Sequence, residues 1–367
     1  ATSTTAAEVS VEKVSEKQWV VVKFGGTSVS YGDTWLQIVT RVRELQNGPD
    51  GSSYNVLLVL SALTQVTNRL ELSIKEALSQ KEITSLAWIE ETHRRLAKEV
   101  GLDPSALREV LELLKELDQL LYGVSLLKEE SPRLRARVCS FGERLSTLMA
   151  VQILKFHGLE CALMQAGDLL LSDTALNAPE EDKFLNANVT PRSDRENTEA
   201  IIREKCGNAS LVVTQGFIGR TARGETCLLG RGGSDTSGSL MAGLLQAHHY
   251  EIWTDVYGMF SGDPRKMPHA RLIKRLGSRQ AQELAACGAK VLHPRCIMPS
   301  AIFGIPIEIH NTMDPSSEYT YIDVDDIAVL APDDRVLSSL SASVSKSLRS
   351  SASPARPSSH SPCTGSP

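Results

Sequence analysis

Val20-Val21-Val22-Lys23-Phe24-Gly25-Gly26-Thr27-Ser28 is an apolar run interrupted by one lysine, closed by two glycines and followed by two hydroxyl residues. A short, β-branched run bounded by Gly-Gly reads as a buried strand followed by a tight turn. Adjacent glycines let the backbone approach a bound anion, and Thr27 and Ser28 offer hydroxyls and amides near the start of a helix. The lysine precedes the glycines, so this is not the nucleoside-triphosphate loop, in which Gly-Lys comes last. A Gly-Gly turn between strand and helix is also an ordinary structural device. A second cluster far downstream, Gly230-Arg231-Gly232-Gly233-Ser234-Asp235, tips the balance toward phosphate handling.

Outward from this stretch the chain alternates. Strand-like runs are predicted over 19–24, 55–61, 159–164, 210–214, 250–254 and 305–310, with helical patterns between them. Residues 65–123 read as almost wholly helical, with an apolar stripe at Leu107, Val110, Leu111, Leu114, Leu117 and Leu121. Pro132 opens a further helix carrying Phe141-Gly142-Glu143. The expected fold is therefore α/β: a three-layer sandwich with a mostly parallel central sheet, helices on both faces, and a helical insertion. Ligands of such sheets bind at the carboxyl ends of strands, where the Lys23 turn, the Gly216 turn and Thr254-Asp255 fall.

Composition excludes several classes. A formal net charge of −5, scattered basic residues and 5% aromatics argue against a nucleic-acid partner. No run approaches a membrane span. Seven cysteines without CxxC spacing predict reduced thiols in a cytoplasmic protein, with no metal site. Residues 1–18 are expected to be a disordered leader, and Glu8, Glu12 and Glu16 count against a transit peptide. From Ser338 to Pro367, 13 of 30 residues are serine, too little apolar surface to offset chain entropy, so a disordered tail is expected. His248-His249 lacks a third ligand at metal spacing, and His293 before Pro294 reads as structural.

Phosphoryl transfer needs cations around a loose, charged transition state and an acceptor held in line. Lys23, Gly25 and Gly26 suit the transferring oxygens, Lys290 suits the leaving phosphates, and Asp235 at a helix start can hold the lysines. Taken singly, Asp235 is equally an ordinary acid at a helix N-terminus.

With these motifs in order, together with Val66-Thr67-Asn68, Trp253-Thr254-Asp255-Val256-Tyr257-Gly258 and Gly288-Ala289-Lys290-Val291-Leu292-His293-Pro294, the chain resembles the aspartate kinases of the amino-acid kinase family from about Trp19 to Pro315. The resemblance implies a substrate lobe over roughly 19–215 and a nucleotide lobe over roughly 216–315, then a partial linker or the start of a missing domain over 316–337. It implies that Lys23 stabilises the transferring phosphoryl group and Asp235 organises the site. Glu143 would pair with the substrate α-ammonium and Arg231 with a carboxylate, while Thr27, Ser28, Ser61, Thr67 and Ser234 line the substrate pocket. Thr254, Asp255, Tyr257, Gly258, Asp263, Arg265 and Lys290 would frame the nucleotide. The implied substrates are L-aspartate and ATP, with Mg²⁺ carried by the nucleotide; the product is 4-phospho-L-aspartate, the entry to lysine, threonine and methionine synthesis.

Two alternatives stand beside this one: a related kinase acting on another small acid or a nucleoside monophosphate, and a weakly catalytic module that binds aspartate or nucleotide for regulation. Leu63-Thr64-Gln65 departs from the family's more glycine-rich loop. About 50 residues follow Pro315, so ACT-type regulatory domains are expected to be absent and no feedback effector is carried over. A homodimer, and fusion to a second lysine-pathway enzyme in a longer chain, are the partner arrangements the resemblance suggests.

Overall fold

The computed structural model describes residues 17–48, 51–286 and 291–324. Nearly all of the expected leader and the whole serine-rich tail lie outside them, as does Lys290.

Strand β1 (Trp19–Phe24) is buried along its length, and Gly25 turns the chain into the one-turn helix α1 (Gly26–Val29). Helix α2 (Gly32–Gln46) leads to β2 (Asn55–Leu60). The stretch read as continuously helical is three helices: α3 (Val66–Leu78), α4 (Thr84–Val100) and α5 (Arg108–Leu127). Gln80 and Gly101 adopt left-handed backbone at φ 52° and 84°, which ends the first two. Helix α6 (Pro132–Phe156) starts where Ser131 Oγ accepts the Leu134 amide at 3.2 Å and proline occupies the first turn.

Next come β3 (Ala162–Met164), α7 (Glu180–Phe184), α8 (Arg195–Cys206) and β4 (Leu211–Gln215). A small hairpin, β5 (Ile218–Arg220) and β6 (Thr226–Leu228), precedes α9 (Gly233–Leu245) and β7 (Tyr250–Thr254). The chain then forms β8 (Arg275–Gly277), α10 (Ser278–Ala286), α11 (Pro294–Ile302), β9 (Ile307–Asn311) and β10 (Thr320–Asp323).

Eight of these strands make one sheet in the order β3-β4-β2-β1-β7-β9-β10-β8. From β3 to β9 every pair is parallel; β10 returns antiparallel to β9 and carries β8 parallel to itself. Alternation along β1 divides the core between two layers. Val20, Val22 and Phe24 pack with α2 to α6, whereas Trp19 and Val21 pack with α8 to α11. Lys23 shares the parity of Val21 and so faces the second layer, where α9 lies against β1.

The expected mostly parallel sheet, covered on both faces, is what forms. Four strands were not anticipated: β5, β6, β8 and β10 have three or four residues, too few to display a period of two. Of these, β10 lies within 316–337, the stretch expected to be a partial linker or the start of a missing domain, and there it joins the main sheet.

Candidate active site

Across the middle of the sheet Phe24 lies opposite Leu60 and Trp253, and Leu60 lies opposite Gln215. The next residue on each strand forms a rim: Gly216, Ser61, Gly25 and Thr254. Main-chain bonds lock it, from Gly216 N to Leu60 O (2.9 Å), Ser61 N to Phe24 O (3.2 Å) and Gly25 N to Trp253 O (3.0 Å). Strand β1 sits between β2 and β7, where the chain's order along the sheet reverses, and open α/β sheets bind their ligands beyond the strand ends at such a point.

Two loops close on the rim. The Lys23 ammonium lies 2.6 Å from Asp235 Oδ1, with side chains only 9% and 18% exposed. Asp235 belongs to the first turn of α9, where a carboxylate is favoured by the helix dipole, and its carbonyl accepts the Tyr250 hydroxyl at 3.0 Å. Gly232 holds φ at 68°, and a Cβ there would collide with His293 Cβ. His293 caps α11, its Nδ1 accepting the Arg295 amide at 3.3 Å, so it serves structure at the edge of the site. Arg231 is exposed and has no acidic partner among the described residues, which leaves its guanidinium available to a ligand. Ser234 packs half-buried against Gly216.

On the other side, Gly26 comes so close to the Ala62 carbonyl oxygen that a Cβ would lie 2.8 Å from it. The Ala62 amide in turn donates to Glu143 Oε1 at 3.2 Å. Glu143 is buried on α6, and its second oxygen has no hydrogen-bond partner. Burial pushes its carboxyl up to about 8, a rise that the Ala62 amide only partly offsets. Thr67 lies beside Gly142 in the same wall. The unusual Leu63-Thr64-Gln65 loop is accommodated by Gln65 itself adopting φ 69° at the start of α3.

Ser28 departs from expectation. Its hydroxyl turns into the core, 2.7 Å from Thr312 Oγ1 and 3.4 Å from the Trp253 carbonyl oxygen, instead of facing the rim. Thr27 is half-buried.

Among the nucleotide candidates, Thr254 Oγ1 donates to Asp255 Oδ1 at 3.2 Å, and Tyr257 is exposed. Gly258 abuts Thr320 of β10, whose hydroxyl accepts the Met259 amide at 2.9 Å and donates to the Ile273 carbonyl at 2.7 Å. Asp263 and Arg265 pair with each other at 3.1 Å on the outer surface. Lys290 cannot be placed against them, since it is outside the described residues.

Sequence reading missed Phe217, Thr312, Thr320 and the Glu251 network. Phe217 holds φ 65° next to Gly216 and packs on Gly233; only glycine normally signals such backbone. Glu251, fully buried, accepts from Arg41 Nε (3.1 Å) and Nη2 (2.6 Å), His249 Nε2 (2.8 Å) and Trp253 Nε1 (2.7 Å). Glu251 and Glu308 do bring carboxylates near His249, all within 4.8 Å, but the Glu251 oxygens are saturated by protein donors, one of them cationic. This is an ion-pair network.

Fold and site thus define a three-layer α/β protein with cationic, glycine-lined turns at a topological switch point. The chain belongs to the amino acid kinase family, whose model matches residues 18–311. It is 32% identical over 310 residues to the lysine-sensitive aspartokinase 3 of Escherichia coli, covering 83% of this chain and 64% of that protein. It is 30% identical over 309 residues to the bifunctional aspartokinase/homoserine dehydrogenase of Buchnera aphidicola, covering 82% of this chain and 36% of that one. The crystal structure of E. coli aspartokinase III in complex with aspartate and ADP superposes with a TM-score of 0.70 at 29% identity, over 83% of this chain and 64% of that one. The chain therefore spans only about a third to two thirds of the length of these relatives. Among the described residues no helix is long and apolar enough to cross a membrane.

Proposed function

We propose that this chain transfers the γ-phosphoryl group of MgATP to the β-carboxylate of L-aspartate, forming 4-phospho-L-aspartate, the opening step of lysine, threonine and methionine synthesis. The observation that carries this is the buried, unpartnered oxygen of Glu143 beside the Lys23 turn. An acid bearing a free ammonium supplies a cationic donor that matches the Glu143 carboxylate; acetylglutamate, carbamate and nucleoside monophosphates offer only neutral N–H or O–H donors. The ligands of the E. coli relative, aspartate and ADP, agree with it.

In this reading a carboxylate oxygen of aspartate attacks the γ-phosphorus, the bond from that phosphorus to the β,γ-bridging oxygen breaks, and ADP leaves with the electron pair. The carboxylate is already ionised at neutral pH, so no general base is needed. Lys23 neutralises charge on the phosphoryl oxygens, and Asp235 keeps its ammonium aimed at them. The Gly25-Gly26 turn gives the phosphoryl group close access to main-chain amides. Arg231 forms the planar fork for a substrate carboxylate. Thr254, Asp255, Tyr257 and Gly258 frame the nucleotide, with Lys290 assigned to its phosphates, and 19–215 and 216–315 act as substrate and nucleotide lobes. Mg²⁺ enters as part of the nucleotide and needs few protein ligands. Of the seven cysteines, the five among the described residues are free thiols, which suits a reducing compartment such as the cytoplasm.

The test is incubation of the purified chain with MgATP and L-aspartate, trapping the acyl phosphate with hydroxylamine, with glutamate, acetylglutamate and UMP in parallel. Hydroxamate from aspartate alone is the expected result. Product from acetylglutamate instead, or MgADP binding with no turnover of any acid, would move the assignment to one of the two alternatives.

A further inference from the structure

Thr312 is the residue just past β9, and it holds two neighbouring strand ends at once. Its amide donates to the Thr254 carbonyl at the end of β7 (2.8 Å), and its hydroxyl lies 2.7 Å from that of Ser28 in α1. Both side chains are 1% exposed. Ser28 and Gly25 share a third anchor, the Trp253 carbonyl, at 3.4 and 3.0 Å. The helix behind the glycine turn is thereby tied to the end of β7, where the nucleotide-side residues begin.

Other bonds act nearby: the Gly25 amide donates to the Trp253 carbonyl at 3.0 Å, and Ser30 Oγ donates to the Gly26 carbonyl at 2.6 Å and accepts the Thr64 amide at 2.8 Å, but none of these reaches the end of β9. Helix α1 has four residues and no side-chain cap at its N-terminus. So short a helix does not hold its own geometry. In-line transfer, however, tolerates little error between the group that holds the phosphoryl oxygens and the group that holds the nucleotide.

We infer that the Ser28–Thr312 hydroxyl pair is a positioning device that keeps the phosphate turn in register with the nucleotide strand ends. The inference rests on the kinase assignment for its catalytic consequence, but not for its mechanical one. Neither residue touches the reacting atoms; both act through the Gly25-Gly26 turn.

The test uses Thr312→Val, Thr312→Ser, Ser28→Ala and the Ser28→Ala/Thr312→Val double variant in the full chain. Ser28→Ala removes a single oxygen and guards against misfolding of the valine variant. The first readout is amide exchange at Ser28 and Val29, which donate to the Gly25 carbonyl at 3.0 and 3.2 Å. Thr312→Val and Ser28→Ala are each expected to speed it about tenfold, with Thr312→Ser near wild type. The second is kinetics: kcat falls about tenfold in each single variant, the KM for aspartate stays within twofold, and the double variant is no worse than either. Unchanged exchange at both amides in Thr312→Val and Ser28→Ala, or losses that add in the double variant, would overturn the inference. An inactive wild type would count against the kinase assignment alone, and the exchange readout would still decide this one.

Discussion

Lys23 and Asp235 form a 2.6 Å ion pair between the end of β1 and the first turn of α9, largely shielded from solvent. Such a pair is weak evidence for stability, because desolvation offsets much of the attraction. Its value lies in aim: a lysine ammonium on a flexible stem is fixed by one carboxylate while its remaining N–H donors stay free for phosphoryl oxygens. Lys23→Met keeps the stem and deletes the charge. It is expected to lower kcat by about 10²–10³ with aspartate KM changed less than threefold. Asp235→Asn, which keeps the ammonium but loosens its aim, should cost less. Steady-state kinetics on both variants separates charge from aim; near-normal turnover in Lys23→Met would remove Lys23 from the mechanism.

Glu143 makes substrate binding pH-dependent. Its carboxyl is raised to about 8 by burial, so the free protein holds it largely protonated at neutral pH. An ammonium prefers the carboxylate, so the affinity for aspartate should rise up to about tenfold per pH unit from pH 6 to 8 and then level off. Stability runs the other way. The folded state binds the extra proton between the unfolded value near 4.5 and about 8, so stability without substrate falls as pH rises through that window. Glu143→Gln should flatten both profiles. Calorimetric titration with aspartate and thermal melts from pH 5 to 9 measure them, and a wild-type profile as flat as that of the variant would refute the assignment.

The parts legible in the sequence were those set by local constraints. Lys23-Phe24-Gly25-Gly26 announces a strand end and a turn because only glycine allows that approach, and Gly230 to Asp235 announces the second loop for the same reason. Direction was not legible. Thr27 and Ser28 look alike on paper, yet one stays half-buried and the other is buried with its hydroxyl on that of Thr312. Nor were bonds over long separations: nothing near Arg41 points to Glu251, and Thr320, which secures the loop after β7, lies in a stretch that reads as linker. Phe217 escaped notice because its left-handed backbone is imposed by tertiary packing, against its own preference.

Two glycines with similar backbone separate strain from collision. Gly232 (φ 68°) and Gly224 (φ 80°) both hold left-handed conformations. A Cβ on Gly224 meets nothing within 4 Å, whereas one on Gly232 strikes the Cβ of His293. Gly224→Ala should cost only the backbone term, about 1–2 kcal/mol, and leave activity intact. Gly232→Ala must also push α11 away from the turn that carries Arg231 and Asp235. It is expected to lower Tm further and raise the KM for aspartate at least tenfold. Melting curves and kinetics on the two variants check this, and equal behaviour would mean that the His293 contact gives way easily.

The Glu251 network is the structural counterpart of the site. Burial alone would raise the Glu251 carboxyl, but hydrogen bonds from His249 and Arg41 and the Arg41 charge outweigh it and hold the group far below the ordinary carboxylate range. Glu251→Gln keeps the volume and removes the charge, leaving Arg41 without its principal partner. A loss of about 3–5 kcal/mol is expected at pH 7. Because the folded value is depressed, this contribution is present above about pH 4.5 and is lost as pH falls toward the folded value. Buried His93, lowered to about 4 by desolvation, weakens the fold earlier, from about pH 6.5 downward, and does so in wild type and variant alike. The difference between the two unfolding curves therefore isolates Glu251. That difference should hold steady from pH 8 to 5 and shrink below 4.5, as measured by urea unfolding at each pH. A gap that stays constant down to pH 3 would show that the loss comes from packing and not from charge.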